Sequence, residues 1–317
     1  MKFTRFAGLA CGALLASAAA VAAQDCQPSK YGADDEIGAA NMITPDSVLM
    51  AAQLIKKGET HPLGIVIDPN MPAFPPRKMQ LQVVQPGQSG GKTLDAGFGW
   101  PGSYNDDISQ LWWGTGPQID GLGHLGEEDT YYNCNKGADF ANLTGLTKLG
   151  IHGIPPIVAR GVMIDMVEQL GADKLKAGMG FGSEDIKAAM AAQGVEIKPG
   201  DVVLFHTGWT DSMLEAEPAT WVSGEPGLTN EAATWLAKLE PVAVGSDTWG
   251  LEAVPPVAGD KVFYGHVTFL AHNGIYILET MNTGRLAEEG VTEFMFVLGQ
   301  ARLKGAVQMM INPVALW

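Results

Sequence analysis

Beyond residue 43 the chain breaks into short apolar blocks whose period switches between that of a helix and that of a strand. The clearest helix signal covers residues 44–58. Thr44 stands as N-cap, Pro45 at the first position and Asp46 in the first turn; Val48, Leu49, Ala52 and Ile55 form the apolar stripe, and Lys56 and Lys57 precede Gly58. Residues 62–99 are rich in Pro, Gly and Gln and predict irregular or hairpin structure able to cover a site, with one strand at 79–84. A β-branched run after Pro155 and Pro156 predicts a buried strand reaching Asp165. Ser183 can cap a helix that runs to Gln193 and stops at Gly194, and Thr229 can cap another that runs to Lys238. Further strands are predicted at 201–207, 241–247, 274–279, 293–298 and 305–311. This alternation predicts a mixed α/β single domain around one sheet, and no repeat or composition break divides it. Residues 30–45 carry too many small and acidic side chains to predict a core element.

Composition narrows the picture. The 317 residues are 46% hydrophobic, enough for a sizeable core. The formal charge is −15, which argues against phosphate-backbone contacts with nucleic acid and against an anionic membrane surface. Lys2 and Arg5, the apolar run Ala7–Ala20 and the small residues at 20–23 predict a cleavable secretory signal over residues 1–23, so a periplasmic or secreted protein is expected. Of three cysteines, Cys11 lies in that leader. Cys26 and Cys134 remain, either as a disulfide suited to an oxidising compartment or as two separate buried thiols.

Candidate chemistry gathers in residues 112–132, where Gln118, Asp120 and His124 fall within seven residues among five glycines. Such a run is poor helix and poor strand, as suits a loop with a task or a plain surface loop. Of the six histidines, His61, His152 and His272 sit in polar turns and are read as solvated. His206 shares strand parity with Val202 and Leu204, which fits a hydrogen-bonded core residue or a site residue. His266 precedes Glu279 by thirteen residues, with Asn273-Gly274 between them as a hairpin signal. An Asp, a His and a Glu from separate segments can form a three-ligand site with an open position, at Asp120, His266 and Glu279, leaving His124 to move a proton. Trp112, Trp113, Tyr131, Tyr132 and Trp249 are either stacking walls for an aromatic substrate or ordinary core aromatics. Arg160 and Asp247 are candidates for supporting the site or for structural pairing.

The ordered series 115–124, 131–133, 160–166, 206–209, 245–252 and 266–279, together with residues 34–45, resembles the cyclase family that includes bacterial kynurenine formamidase and isatin hydrolase. The resemblance implies a β/β/α fold of the swivelling type, usually dimeric, and metal-dependent hydrolysis of an amide or lactam. It places a metal-ligating aspartate on Asp120, the acid/base histidine on His124, and the remaining metal ligands on His266 and Glu279. The first two histidines of the family pattern are replaced here by Gly114 and Gln118, which marks a long secreted subgroup and implies at most one tightly held ion, manganese or zinc. The expected activity is arylformamidase-like hydrolysis of a small amide, formamide, lactam or ester, with Gln118 donating to the developing oxyanion. A secreted binding protein without the reaction, and a dehydratase or cyclase using His124 as base, are the alternatives.

Overall fold

The apolar blocks become strands whose order forces the sheet to curl. A computed structural model describes residues 26–84, 99, 100, 102 and 105–317. The expected leader at 1–23 lies outside the described residues, as does much of the Gly/Gln-rich stretch before Gly99. In chain order the strands used below are β1 (Thr60–Pro62), β2 (Met79–Val84), β3 (Asp106–Leu111), β4 (Gln118–Asp120), β5 (Ile157–Asp165), β6 (Val202–His206), β7 (Ala243–Ser246), β8 (Tyr276–Glu279), β9 (Glu293–Leu298), β10 (Gln308–Met310) and β11 (Val314–Leu316). β2 and β3 pair as a hairpin of their own. The other nine form one sheet in the order β1-β11-β9-β5-β6-β7-β8-β4-β10. β5 to β8 run parallel, and every pairing outside them is antiparallel. β10 and β11 stand seven places apart in that order, roughly 34 Å in a flat sheet at about 4.8 Å per strand. The three residues 311–313 that join them span at most about 15 Å, so the two ends of the sheet must approach each other.

Every residue of β6 and β7 is buried, as expected of parallel strands covered on both faces. Helix α2 (Ser183–Gln193) buries Ile186 and Ala189, and α3 (Asn230–Ala237) buries Ala232, Ala233, Leu236 and Ala237 against this core. Thr229 caps α3 as expected, its hydroxyl accepting from the Ala232 amide at 3.1 Å. At α2 the cap position falls on Gly182, because the Ser183 hydroxyl is drawn to Glu231 Oε1 at 2.6 Å. Helix α1 (Pro45–Ala52) starts as its signals predict but ends before Lys56. The amides of Lys57 and Glu59 both donate to the Trp317 carbonyl, a tertiary demand that local propensity does not foresee.

Two expectations are corrected. The Asn273-Gly274 pair closes a helix, not a hairpin: the α turn α4 (Tyr264–His266) runs into a π-helical turn, Val267–His272, and the Asn273 side chain donates to the Thr268 carbonyl at 2.7 Å. Asn-Gly suits a helix C-terminus as well as a tight β-turn, and only β8 of this block is a strand. Residues 34–43 do contribute core: Ala39 and Ala40 are buried, and small side chains let the backbone at Gly38 pack directly on Gly274. This N-terminal strap is held by the Cys26–Cys134 disulfide and by the Tyr132 hydroxyl, which donates to Asp35 at 2.6 Å. Among the described residues no helix is long and apolar enough to cross a membrane.

Candidate active site

The site is built at the carboxyl end of β8, where the ends of parallel strands open a crevice. Gln118 pairs with Glu279 and Asp120 with Ile277 across β4 and β8, while Gln308 on β10 pairs with Asp120 from the other side. The period of two in a strand therefore turns Gln118, Asp120, Glu279 and Gln308 to one face. His266 arrives above them from α4. Its Nε2 lies 3.0 Å from Glu279 Oε1 and 3.6 Å from Asp120 Oδ2. Its Nδ1 is 2.7 Å from Glu252 Oε1, and Glu252 also accepts the backbone amides of Gly265 and His266, each at 2.8 Å.

These charges are buried and reshape one another. Burial would raise Asp120, but His124 and His266 beside it and the Gln308 donor hold its carboxyl below the usual carboxylate range. Burial and the neighbouring Asp120 push Glu279 up to about 7. Burial opposes protonation of His266, yet its bonds to Asp120, Glu252 and Glu279 raise it well above an ordinary imidazole. A further carboxylate behind them, Glu225, is pushed well up by burial and by Glu279, and only its Oε2 is used, accepting from the Trp249 amide.

The residues fit a divalent cation. Asp120, His266 and Glu279 each present one ligand atom within 4.8 Å of the others. Asp120 Oδ2 is buried without a hydrogen-bond partner, its nearest polar neighbours being His266 Nε2 at 3.6 Å and His124 Nε2 at 3.8 Å, and a bound cation would satisfy it more fully than these longer ion pairs. Asp120 Oδ1 is by contrast occupied, accepting from Gln308 at 2.6 Å and from Gln118 at 3.3 Å. One nitrogen and two oxygens suit manganese or zinc, and Glu252 on the far ring nitrogen is the outer partner that fixes an imidazole for ligation.

Beside this cluster lies a cavity of about 190 Å³ walled by Phe74, Leu125, Trp249 and Phe263, with Arg77, His124, His266 and Glu279 as its polar groups. Phe74 stacks on Trp249 with centroids 5.3 Å apart, and Phe263 meets Phe74 edge-on. His124 Nε2 lies 3.8 Å from Asp120 Oδ2, and burial lowers its pKa, with His266 and Arg77 adding to the effect. Gln118 takes a different position from the one its expected duty requires. Its amide nitrogen donates to Asp120 Oδ1 and Glu279 Oε2, so both its protons are used, and it does not line the cavity.

Other candidates lie elsewhere. Trp112 and Trp113 are exposed, Tyr131 packs on Phe140 and Tyr132 holds the strap, leaving Trp249 as the pocket's share of the five aromatics. Arg160 is paired with buried Asp201 and with Glu293, outside the cavity lining, and Asp247 accepts from Thr207 and Trp209. His61 is buried, not solvated, with Nε2 at 3.1 Å from the Asn282 carbonyl; His206 is a core residue bonded to Thr283. Sequence reasoning missed Glu252, Glu225, Gln308 and Arg77. A lone glutamine in the apolar run 305–311 was a readable signal, as was the place of Glu252 at the end of the motif 245–252; Glu225 and Arg77 stand in segments without period.

A family model described as Putative cyclase matches residues 61–253. The chain belongs to this family. Among solved structures, that of a novel cyclase has a TM-score of 0.82 to this cyclase-family chain and 30% identity, covering 91% of this chain and 96% of that one. Isatin hydrolase A from Labrenzia aggregata, solved with benzyl benzoate, follows at 0.59 and 18% identity, over 84% and 95% of the two chains. A structure described as a potential metal-dependent hydrolase with cyclase activity has a TM-score of 0.52 at 17% identity, over 81% and 98%. At those two identities the likeness is one of fold. A search of curated proteins returns no match. Within the cyclase fold, the positions where family resemblance implies two imidazoles are filled differently here. A Cβ on Gly114 would lie 2.8 Å from both Arg77 Nη1 and Gln308 Oε1, and Gln118 spans the two carboxylates.

Proposed function

We propose that this cyclase-family chain is an exported, divalent-metal-dependent hydrolase of a small aromatic amide, formamide, lactam or ester. The observation that carries the reading is the convergence of Asp120 Oδ2, buried without a hydrogen bond, with His266 Nε2 and Glu279 Oε1 at the edge of an aromatic cavity. Asp120, His266 and Glu279 would hold one ion, manganese or zinc, which when bound supplies Lewis acidity towards a carbonyl and acidifies water. His124 is the proton carrier: its lowered pKa keeps Nε2 free to accept a proton near neutral pH and to return it to the leaving group. Gln308, 3.4 Å from that nitrogen and bonded to Asp120, sets the imidazole against the carboxylate. Gln118 holds the two carboxylates in register. The Cys26–Cys134 disulfide supports export, and the exposed apolar side chains Leu81 and Val83, on one face of the β2–β3 hairpin, support a homodimer.

Metal analysis of protein purified without added ions, with turnover of isatin and simple aryl formamides in the presence of manganese or zinc, tests the reading. Stoichiometric metal and turnover that falls about 10²–10⁴-fold in His124→Ala are expected. Tight ligand binding with neither metal nor turnover overturns it in favour of a binding protein.

A further inference from the structure

Arg77 stands in the cavity wall just ahead of the β2–β3 hairpin, in a segment that sequence analysis read as a cover for the site. Its Nη1 donates to the Gly114 carbonyl at 2.8 Å, which fixes the guanidinium in place. Among the described residues no carboxylate pairs with it, although the chain carries a formal charge of −15 and Glu279 lines the same cavity. The space it fills is kept open by Gly114, where any β-carbon would strike Nη1. A planar cation anchored on one edge, and with no ion pair to an acidic side chain among the described residues, matches the two oxygens of a carboxylate.

The rest of the cavity limits what can bring that carboxylate. At about 190 Å³ it falls below the roughly 300 Å³ of ordinary small-molecule pockets, so it takes about one ring. Phe74, Trp249 and Phe263 offer flat apolar surfaces to such a ring. We propose that Arg77 is the specificity-determining residue of this cavity, holding the carboxylate of a one-ring aromatic ligand whose ring lies among Phe74, Trp249 and Phe263. The inference rests on the cavity being the hydrolase's substrate site. The carboxylate is either borne by the substrate's ring or left on it when an acyl bond is hydrolysed.

Calorimetric titration tests this without turnover, in the presence of manganese, with benzoate and the neutral benzamide as probes. Wild-type protein is expected to bind benzoate more tightly than benzamide. Arg77→Met is expected to weaken benzoate by about tenfold or more, as loss of a charge-assisted pair does, and to leave benzamide unchanged. Arg77→Lys keeps the charge without the fork and should fall between them. Equal loss of both probes, or benzoate binding untouched by Arg77→Met, overturns the proposal; the second result would mean that the ion or another group holds the carboxylate. Kinetics separate the two origins. A rise in KM in Arg77→Met for 2-formamidobenzoate but not for formanilide assigns the charge to the substrate, whereas weakened inhibition by benzoate with both KM values unchanged assigns it to the product. If no substrate turns over while the benzoate preference holds, the hydrolase reading fails and the ligand assignment stands.

Discussion

At the scale of single residues, the site depends on which protons its buried groups keep. Glu279 is pushed up to about 7 and His266 well above its ordinary value, so both hold protons that an incoming ion must displace. Metal affinity should therefore rise with pH and fall as pH drops through 7, and calorimetry in buffers of different ionisation enthalpy should show proton release on binding. The ion-free protein should show the opposite trend in stability. A carboxylate raised from 4.5 to about 7 in the folded state contributes stability below 4.5, and that contribution is lost as pH climbs to 7; melts of metal-stripped and metal-loaded protein across that window test it. Glu252→Gln removes the acceptor charge behind His266 and should weaken manganese or zinc binding by about 10–100-fold, read by titration. Asp120, His124, His266 and Glu279 were legible because a series of motifs singled them out. Glu252 closes one of those motifs, at 245–252, yet nothing local tells that its carboxylate serves a histidine fourteen residues away.

Elements explain why the ligands meet. β4 is only three residues long, yet it lies between β8 and β10, so a stretch whose glycines suggested a loop is fixed on both sides by ladder bonds. Strands with caps and β-branched runs, such as β5 and β6, were legible; β4 was not, because its strand identity comes from its neighbours' edges and not from its own residues. The helix carrying His266 was hidden by a turn signal that serves both helix ends and hairpins. Its first turn packs so closely on Glu252 that a Cβ at Gly265 would lie 2.7 Å from the carboxyl carbon. Gly265→Ala should displace Glu252, repeat the metal-affinity loss of Glu252→Gln, and cost about 1–3 kcal/mol in a denaturant melt.

At the scale of the whole molecule, two devices close the fold over distance. The disulfide joins residues 108 apart in sequence and clamps the strap behind the His266 helix. Loop-entropy arguments for a ring of that size give about 4–5 kcal/mol, so a Cys134→Ser variant, or reduction, should lower the melting temperature measurably by calorimetry. The pair of cysteines was legible from composition, whereas the curl of the sheet was not, since strand order is a property no single segment carries. That curl also sets a timetable for synthesis. Because residues 308–316 supply a border strand at one extremity of the sheet and the neighbour of β1 at the other, a ribosome must pass them before either boundary is finished. The amide of Gln308 that steadies Asp120 travels with this late segment, so the nascent chain completes the geometry of the candidate site in the same event that covers the exposed edges of β4 and β9.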